Sequence, residues 1–123
     1  MFSLPRKVRA YSPHKSVYYA ARGLLGSFGR EPNLTIQLLV GVTSIALSVY
    51  FDQVGFVWLH LVFLALVISL ELVNTAFENL CDLVHPDHSD LVKSIKDSAA
   101  GAVLFAALCW LVVIGVEITL IIV

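Results

Sequence analysis

The sequence predicts an all-α integral membrane protein with a short amphipathic helix followed by three transmembrane helices. Of its 123 residues, 59% are hydrophobic and only 14% are charged, and the mean hydropathy is +0.87. A soluble domain of this length does not need so much apolar surface. Three apolar stretches are also long enough to cross a hydrocarbon core of about 30 Å. We therefore interpret residues 1–123 as one membrane domain.

The N-terminal 30 residues predict a basic cytoplasmic segment and an interfacial helix. Six of the eight Lys and Arg residues precede residue 31, and apolar residues recur at helical spacing from His14 to Gly29. This pattern is typical of an amphipathic helix in the membrane interface. The segment is too long for the charged region of a cleaved signal peptide. The net charge of −1 provides no basic field for binding nucleic acid.

Three longer helices, each containing one span, are predicted at 33–51, 54–84 and 91–123. Pro32 suits the first turn of the first helix. The second helix is roughly 46 Å long at about 1.5 Å per residue, which exceeds the hydrocarbon thickness of about 30 Å. Its last turns must therefore leave the membrane. The positive-inside rule places the N-terminus and the loop after residue 84 in the cytoplasm, and the C-terminus outside.

The second long helix carries three acids and an amide on one face near its end. Glu71, Asn74, Glu78 and Asp82 follow one another at i, i+3, i+7 and i+11, within a stripe roughly 80° wide. Carboxylates this close repel one another, and a bound cation or a nearby Lys relieves the repulsion. Glu71 adjoins the apolar run, where an acid indicates function by default. The stripe predicts a divalent metal site, a site for a positive ligand or a proton-transfer role. The alternative is a polar helix face that emerges from the membrane.

Three further residues have a functional and an ordinary interpretation each. Lys96, followed by Asp97, is either a phosphate-binding Lys with a helping acid or a cytoplasmic anchor at a helix start. Glu31 is either a second metal carboxylate or a helix N-terminal acid favoured by the dipole.

The glycine-rich loops G-x-x-x-x-G-K-[ST] and G-x-G-x-x-G do not occur in the sequence. Any ATP site in this protein would therefore bind the phosphates without such a loop. His60 is expected to be packed or interfacial, and Glu117 is given no role.

Two motifs lie on either side of the polar loop after residue 84. The first is Glu-x-x-Asn-Thr-Ala-x-Glu at 71–78 with Asp82, and the second is Lys-Asp-x-Ala-Ala-Gly-Ala-Val-Leu at 96–104. These motifs and their separation resemble those of the prokaryotic diacylglycerol kinase and undecaprenol kinase family. The resemblance covers nearly the whole chain. It implies an ATP- and Mg²⁺-dependent kinase of the bacterial inner membrane that phosphorylates the hydroxyl of a membrane lipid. It also implies a homotrimer whose active sites are shared between subunits.

The resemblance assigns roles to individual residues. Glu71 is implied to be the general base for the lipid hydroxyl, and Glu31 and Glu78 are implied to hold the metal. Implied nucleotide contacts are Arg9, Asn74, Glu78, Asp82, Lys96 and Asp97. Glu71 and Gln37 are implied to contact the lipid. The run from Glu31 to Gln37 is closer to the undecaprenol kinase branch, although Gln37 stands where that branch commonly has His. Undecaprenol is therefore favoured over diacylglycerol.

Two other functions stay open on the residues alone. The first is a non-enzymatic membrane protein that acts by helix association, with the acids as a polar collar. Such a collar tolerates Gln at both Glu71 and Glu78, whereas a kinase does not. The second is a cation transporter subunit, whose acids belong near the bilayer midplane, and only Glu71 approaches the membrane at all.

Overall fold

The regular structure of the chain is helical throughout the part that the computed structural model describes, which comprises residues 13–85, 87 and 89–123. Its helices are α1 (Pro13–Phe28), α2 (Pro32–Tyr50), α3 (Val54–Val84) and α4 (Asp90–Ile122). The last three are long and apolar enough to cross a membrane. The predicted architecture, one short helix followed by three spans, is confirmed. The interfacial placement of α1 stays a prediction, and Arg9 lies outside the described residues.

Short connections make neighbouring helices antiparallel. Asp52 takes a φ of 57° between α2 and α3, a left-handed conformation that Asp tolerates better than most residues. The backbone N–H of Gln53 donates to the carbonyl of Ser48 at 2.7 Å, which closes the reversal. Pro32 stands in the first turn of α2, where its missing N–H has no helical partner to lose. The start of α2 therefore lies beside the later half of α3.

Helix α3 is the central helix, because it packs against both α2 and α4. Val67 of α3 forms the apolar core with Ala106 and Trp110 of α4. The approach of α2 to α3 is close at Gly41, where a Cβ atom would lie 2.7 Å from Cδ2 of Leu64. These contacts fix the rotation of each helix, and hence the side chains that α2 and α3 present to one another.

A buried polar network joins three helices at the end of the bundle away from the acidic stripe. Ser48 of α2 donates to Oε1 of Glu117, and Nε2 of His60 lies 2.7 Å from Oε2 of the same carboxyl group. The indole N–H of Trp110 donates to Nδ1 of His60 at 2.9 Å. His60 is packed, as expected. Glu117, to which the sequence assigned no role, is only 3% exposed and links α2, α3 and α4.

Candidate functional site

The buried carboxylate of Glu71 is the innermost group of the acidic stripe. Its residue is only 4% exposed, and its side chain faces the first turns of α2. Nδ2 of Asn33 donates to Oε1 at 2.9 Å, and Nε2 of Gln37 lies 3.5 Å from Oε2. Asn33 and Gln37 are four residues apart, so they share one face of α2. Each carboxylate oxygen has further acceptor capacity, so the group can still accept a proton or a hydrogen bond.

Asn74 and Glu78 form the next part of the stripe, one turn further along α3. Nδ2 of Asn74 donates to Oε1 of Glu78 at 3.0 Å. Asn74 is only 8% exposed, and its Oδ1 atom is buried without a hydrogen-bond partner. Buried polar atoms are rarely left unpaired in folded proteins. This pair therefore offers a carboxylate and an unused amide oxygen side by side.

The oxygen atoms of Glu78 and Asn74 suit a hard cation such as Mg²⁺. Among residues 13–85, 87 and 89–123, no group of three His, Cys, Asp or Glu side chains is placed to hold a metal. Mg²⁺ does not need such a group, because it usually binds one or two carboxylates together with phosphate oxygens and water. Glu31 is the N-cap residue of α2 without a side-chain cap. No hydrogen bond or ion pair joins it to Glu78 in the described part of the chain.

Asp82 and Lys96 form an ion pair where α3 ends and α4 begins. The Nζ atom of Lys96 donates to Oδ1 of Asp82 at 2.5 Å, and their side chains are 32% and 66% exposed, respectively. A cavity of roughly 300 Å³ opens beside the pair. Its lining is mainly charged and polar and comprises Asp82, His85, Asp87, Ser89, Val92, Lys93, Lys96 and Asp97. The arrangement places two cationic side chains, Lys93 and Lys96, in a solvent-accessible cavity.

Along α3, the candidate site changes from the buried carboxylate of Glu71 to the exposed carboxylate of Asp82. Glu71 and Asp82 are eleven residues apart, which corresponds to about 16 Å along a helix. The Asn74 and Glu78 pair lies between them. This order suits a reaction in which an apolar substrate approaches from the membrane and a charged one from water.

The structure brings together most of the predicted site residues in pairs. It joins Glu71 to Gln37 and Asn74 to Glu78, and it places Asp97 in the same cavity as the ion pair of Asp82 and Lys96. It does not join Glu31 to any of them, and Arg9 is outside the described residues. Sequence reasoning missed the hydrogen bond of Asn33 to Glu71. The available signal was the spacing of four residues between two amides at the start of α2.

The matching family model and the similar proteins are all described as diacylglycerol kinase or undecaprenol kinase. The family model described as prokaryotic diacylglycerol kinase matches residues 18–118. A diacylglycerol kinase of Synechocystis sp. is 37% identical over 103 residues, which are 81% of this chain and 58% of that protein. The undecaprenol kinase of Bacillus subtilis is 32% identical over 91 residues, which are 72% of this chain and 73% of that protein.

A third relative is matched over almost its whole length. The diacylglycerol kinase of Helicobacter pylori is 26% identical over 118 residues, covering 93% of this chain and 91% of that protein. By contrast, the match with the Synechocystis relative spans less than two thirds of that protein. No solved structure matches the chain significantly.

Proposed function

Because the chain belongs to the prokaryotic diacylglycerol kinase family, we propose that it transfers the γ-phosphoryl group of ATP to the hydroxyl of a membrane lipid. The observation that carries this proposal is the carboxylate of Glu71, which is 4% exposed and adjoins an apolar helix segment. A lipid alcohol keeps its hydroxyl near the membrane interface, so its base must be reachable from the membrane. Glu71 follows the apolar segment of α3 directly, and the charged groups that suit a nucleotide lie beyond it, where α3 ends and α4 begins.

The reaction needs alignment and charge neutralisation more than covalent help from the protein. Glu71 accepts the hydroxyl proton through Oε2 while the lipid oxygen forms a bond to the γ-phosphorus. The bond from that phosphorus to the bridging oxygen of ADP breaks, and ADP leaves with the electron pair. Glu78, the free Oδ1 of Asn74 and Glu31 would hold Mg²⁺, which would supply positive charge against the phosphate oxygens.

The nucleotide is proposed to occupy the cavity where α3 ends and α4 begins. Lys96 stays charged at neutral pH, since the ordinary pKa of Lys is about 10.4, and it is free to exchange Asp82 for a phosphate. Asp97 lines the same cavity. The proposed nucleotide contacts are Arg9, Asn74, Glu78, Asp82, Lys96 and Asp97.

Undecaprenol is the proposed lipid, with diacylglycerol as the close alternative. Gln37 lies beside Glu71, so it is placed to contact the acceptor lipid together with the base. We also propose a homotrimer, because three spans alone leave the site open on one side. The proposed orientation has the N-terminus and the site in the cytoplasm and the C-terminus outside, which places the cavity where ATP is available.

The test is phosphate transfer from labelled ATP in mixed micelles with Mg²⁺, offering undecaprenol and diacylglycerol side by side. Transfer to either lipid that is lost in Glu71→Gln supports the kinase, and the ratio of initial rates identifies the preferred lipid. Glu71→Gln is expected to lower the rate by roughly 10²–10⁴-fold while folding and oligomeric state stay intact. Folded, oligomeric wild-type protein that phosphorylates neither lipid would instead indicate the helix-association function.

A further inference from the structure

Two amides of helix α2 enclose the carboxylate of Glu71. Asn33 and Gln37 each face a different oxygen of the carboxylate, at 2.9 Å and 3.5 Å. Both come from one helix, whereas the base comes from another, so the arrangement depends on how α2 packs against α3. Neither amide can take a proton from a hydroxyl at neutral pH, which excludes both from the role of base. They can, however, determine how the base is held.

The two contacts differ in strength. The 2.9 Å bond to Oε1 has normal hydrogen-bond length, whereas 3.5 Å to Oε2 is beyond the usual range of about 2.7–3.2 Å. Oε1 is thus anchored by Asn33, and Oε2 is the less occupied oxygen. A carboxylate anchored at one oxygen keeps its orientation while the other approaches a hydroxyl.

The second observation is an unused acceptor on Gln37. Its Oε1 atom is buried and has no hydrogen-bond partner, although its amide group lies beside the carboxylate. An ionised carboxylate only accepts hydrogen bonds, whereas a protonated one has an O–H that must be donated. The amide of Gln37 offers a donor at one end and a free acceptor at the other, so it can serve both forms of Glu71.

We propose that Asn33 and Gln37 are positioning residues for the base. Asn33 fixes Oε1 so that Oε2 receives the proton of the lipid hydroxyl. Gln37 donates to the carboxylate before transfer and, with its amide turned, accepts the O–H of Glu71 afterwards. The proton passes from the lipid oxygen to Oε2 and then to water, so no other reactant is needed. This inference rests on the proposed function, in which Glu71 is the base.

Other charges are less directly connected to Glu71. The charged side chains of the surrounding helices include Glu78 and Asp82 on α3 and Lys93, Lys96 and Asp97 on α4, and Glu31 precedes α2. Among the described residues, none of these side chains forms a hydrogen bond or ion pair with Glu71. The two amides are its hydrogen-bonding partners, so their removal should change its behaviour directly.

The test compares Asn33→Leu and Gln37→Met, which keep approximate size and remove the amide. We expect kcat to fall roughly tenfold to hundredfold in Asn33→Leu, the range for a lost hydrogen bond to a charged group. In Gln37→Met, which loses the longer contact, kcat should fall roughly threefold to tenfold. The lipid KM should stay within about threefold, because the amides act on the base. Thr43→Val, which removes an exposed polar group from α2, is the matched control.

A double-variant cycle separates positioning from a merely structural role. In the Glu71→Gln background, Asn33→Leu should change the residual rate by less than about twofold, because there is no carboxylate left to orient. With Glu71 intact, Gln37→Glu restores an acceptor and, when protonated, a donor at position 37. Its kcat should therefore be higher than that of Gln37→Met. If Asn33→Leu fails to fold, Gln37→Met carries the test alone.

Three results would overturn the inference while leaving the kinase intact. These are an unchanged kcat in both variants, a change confined to the lipid KM, or a full additional loss in the Glu71→Gln background. Failure of the proposed function is different: the wild-type protein would transfer no phosphate, or Glu71→Gln would stay active.

Discussion

The Nε2 atom of His60 lies 2.7 Å from Oε2 of Glu117, and both side chains are almost completely buried. The contact joins α3 to α4, while Ser48 extends it to α2. His60 lies eleven residues before Glu71 on α3, which corresponds to about three helical turns. Because eleven residues bring a helix back to nearly the same face, His60 and Glu71 lie on nearly the same face of α3. The polar layer of His60, Glu117 and Ser48 links three helices, whereas the layer around Glu71 forms the candidate functional site.

Replacing Glu117 with Leu should destabilise the protein by about 3–5 kcal/mol, the cost of breaking one side of a buried pair. The reason is that the buried Nε2 atom of His60 then loses its partner, whereas the hydroxyl of Ser48 can still donate to the carbonyl of Ser44 at 3.0 Å. The double variant His60→Leu with Glu117→Leu should recover part of that loss, because both members of the pair are removed, while the indole N–H of Trp110 loses its acceptor. Reversible unfolding in detergent micelles, followed by circular dichroism, measures the difference.

Glu117→Gln is the matched control, since an amide can accept from His60 and contact Ser48 with nearly the same shape. It should retain most of the stability. Equal stability of wild type and Glu117→Leu would show that the network contributes little. A double variant less stable than either single one would contradict the pairing itself.

The sequence predicted the helices well because their signals are local. Apolar run length determines the spans, Pro32 opens α2, and the polar pair Asp52 and Gln53 separates two spans. The bounds of α3 in the structure, Val54–Val84, coincide with those predicted. The stripe on α3 was also visible, because helical periodicity alone places Glu71 and Glu78 on one face.

Contacts between helices could not be predicted in the same way. Asn33 is 38 residues from Glu71, and His60 is 57 residues from Glu117. Whether such side chains meet depends on the rotation of each helix about its axis, which packing between helices determines. The sequence therefore pointed to Glu71 as a candidate but not to its hydrogen-bond partner Asn33, and it assigned no role to Glu117.

Glu78→Gln should raise the Mg²⁺ concentration needed for half-maximal activity by roughly tenfold or more, because one of the few proposed carboxylate ligands is lost. The substitution keeps an oxygen that can accept from Asn74, so the helix should stay folded. A Mg²⁺ titration of phosphate transfer measures the effect. Asp90→Asn, an acid of the first turn of α4, is the control and should give the wild-type curve. An unchanged titration in Glu78→Gln would remove this residue from the metal site.

Lys96→Met should raise the KM for ATP roughly tenfold, the effect of about 1.4 kcal/mol of lost binding, while the lipid KM changes little. Its stability should change by less than about 1 kcal/mol, because exposed ion pairs contribute little. Initial rates at varied ATP measure the first effect, and thermal unfolding measures the second. Lys93→Met removes another Lys from the same cavity and should change the KM for ATP less than threefold. The reverse pattern, lost stability with an unchanged KM for ATP, would make Lys96 an ordinary structural anchor.

The close approach of α2 and α3 at Gly41 gives a prediction that involves no charge. A Cβ atom there would lie 2.7 Å and 2.8 Å from the two methyl carbons of Leu64, so Gly41→Ala forces Leu64 or the helix to move. Gly115 of α4 has nothing within 4 Å of its Cβ position, so Gly115→Ala gains only the helix propensity of about 1 kcal/mol. Overpacking typically costs about 1–3 kcal/mol, so Gly41→Ala should be the less stable of the two variants.

Adding Leu64→Ala to Gly41→Ala makes room for the new methyl group, so the double variant should be more stable than the sum of the two separate changes predicts. Unfolding of the wild type, Gly41→Ala, Leu64→Ala and the double variant in the same micelles measures this coupling. Since α2 also carries Asn33, a displaced helix should lower kcat in Gly41→Ala and leave Gly115→Ala at the wild-type rate. Equal stability and equal kcat in Gly41→Ala and Gly115→Ala would show that α2 and α3 are not in close contact at Gly41.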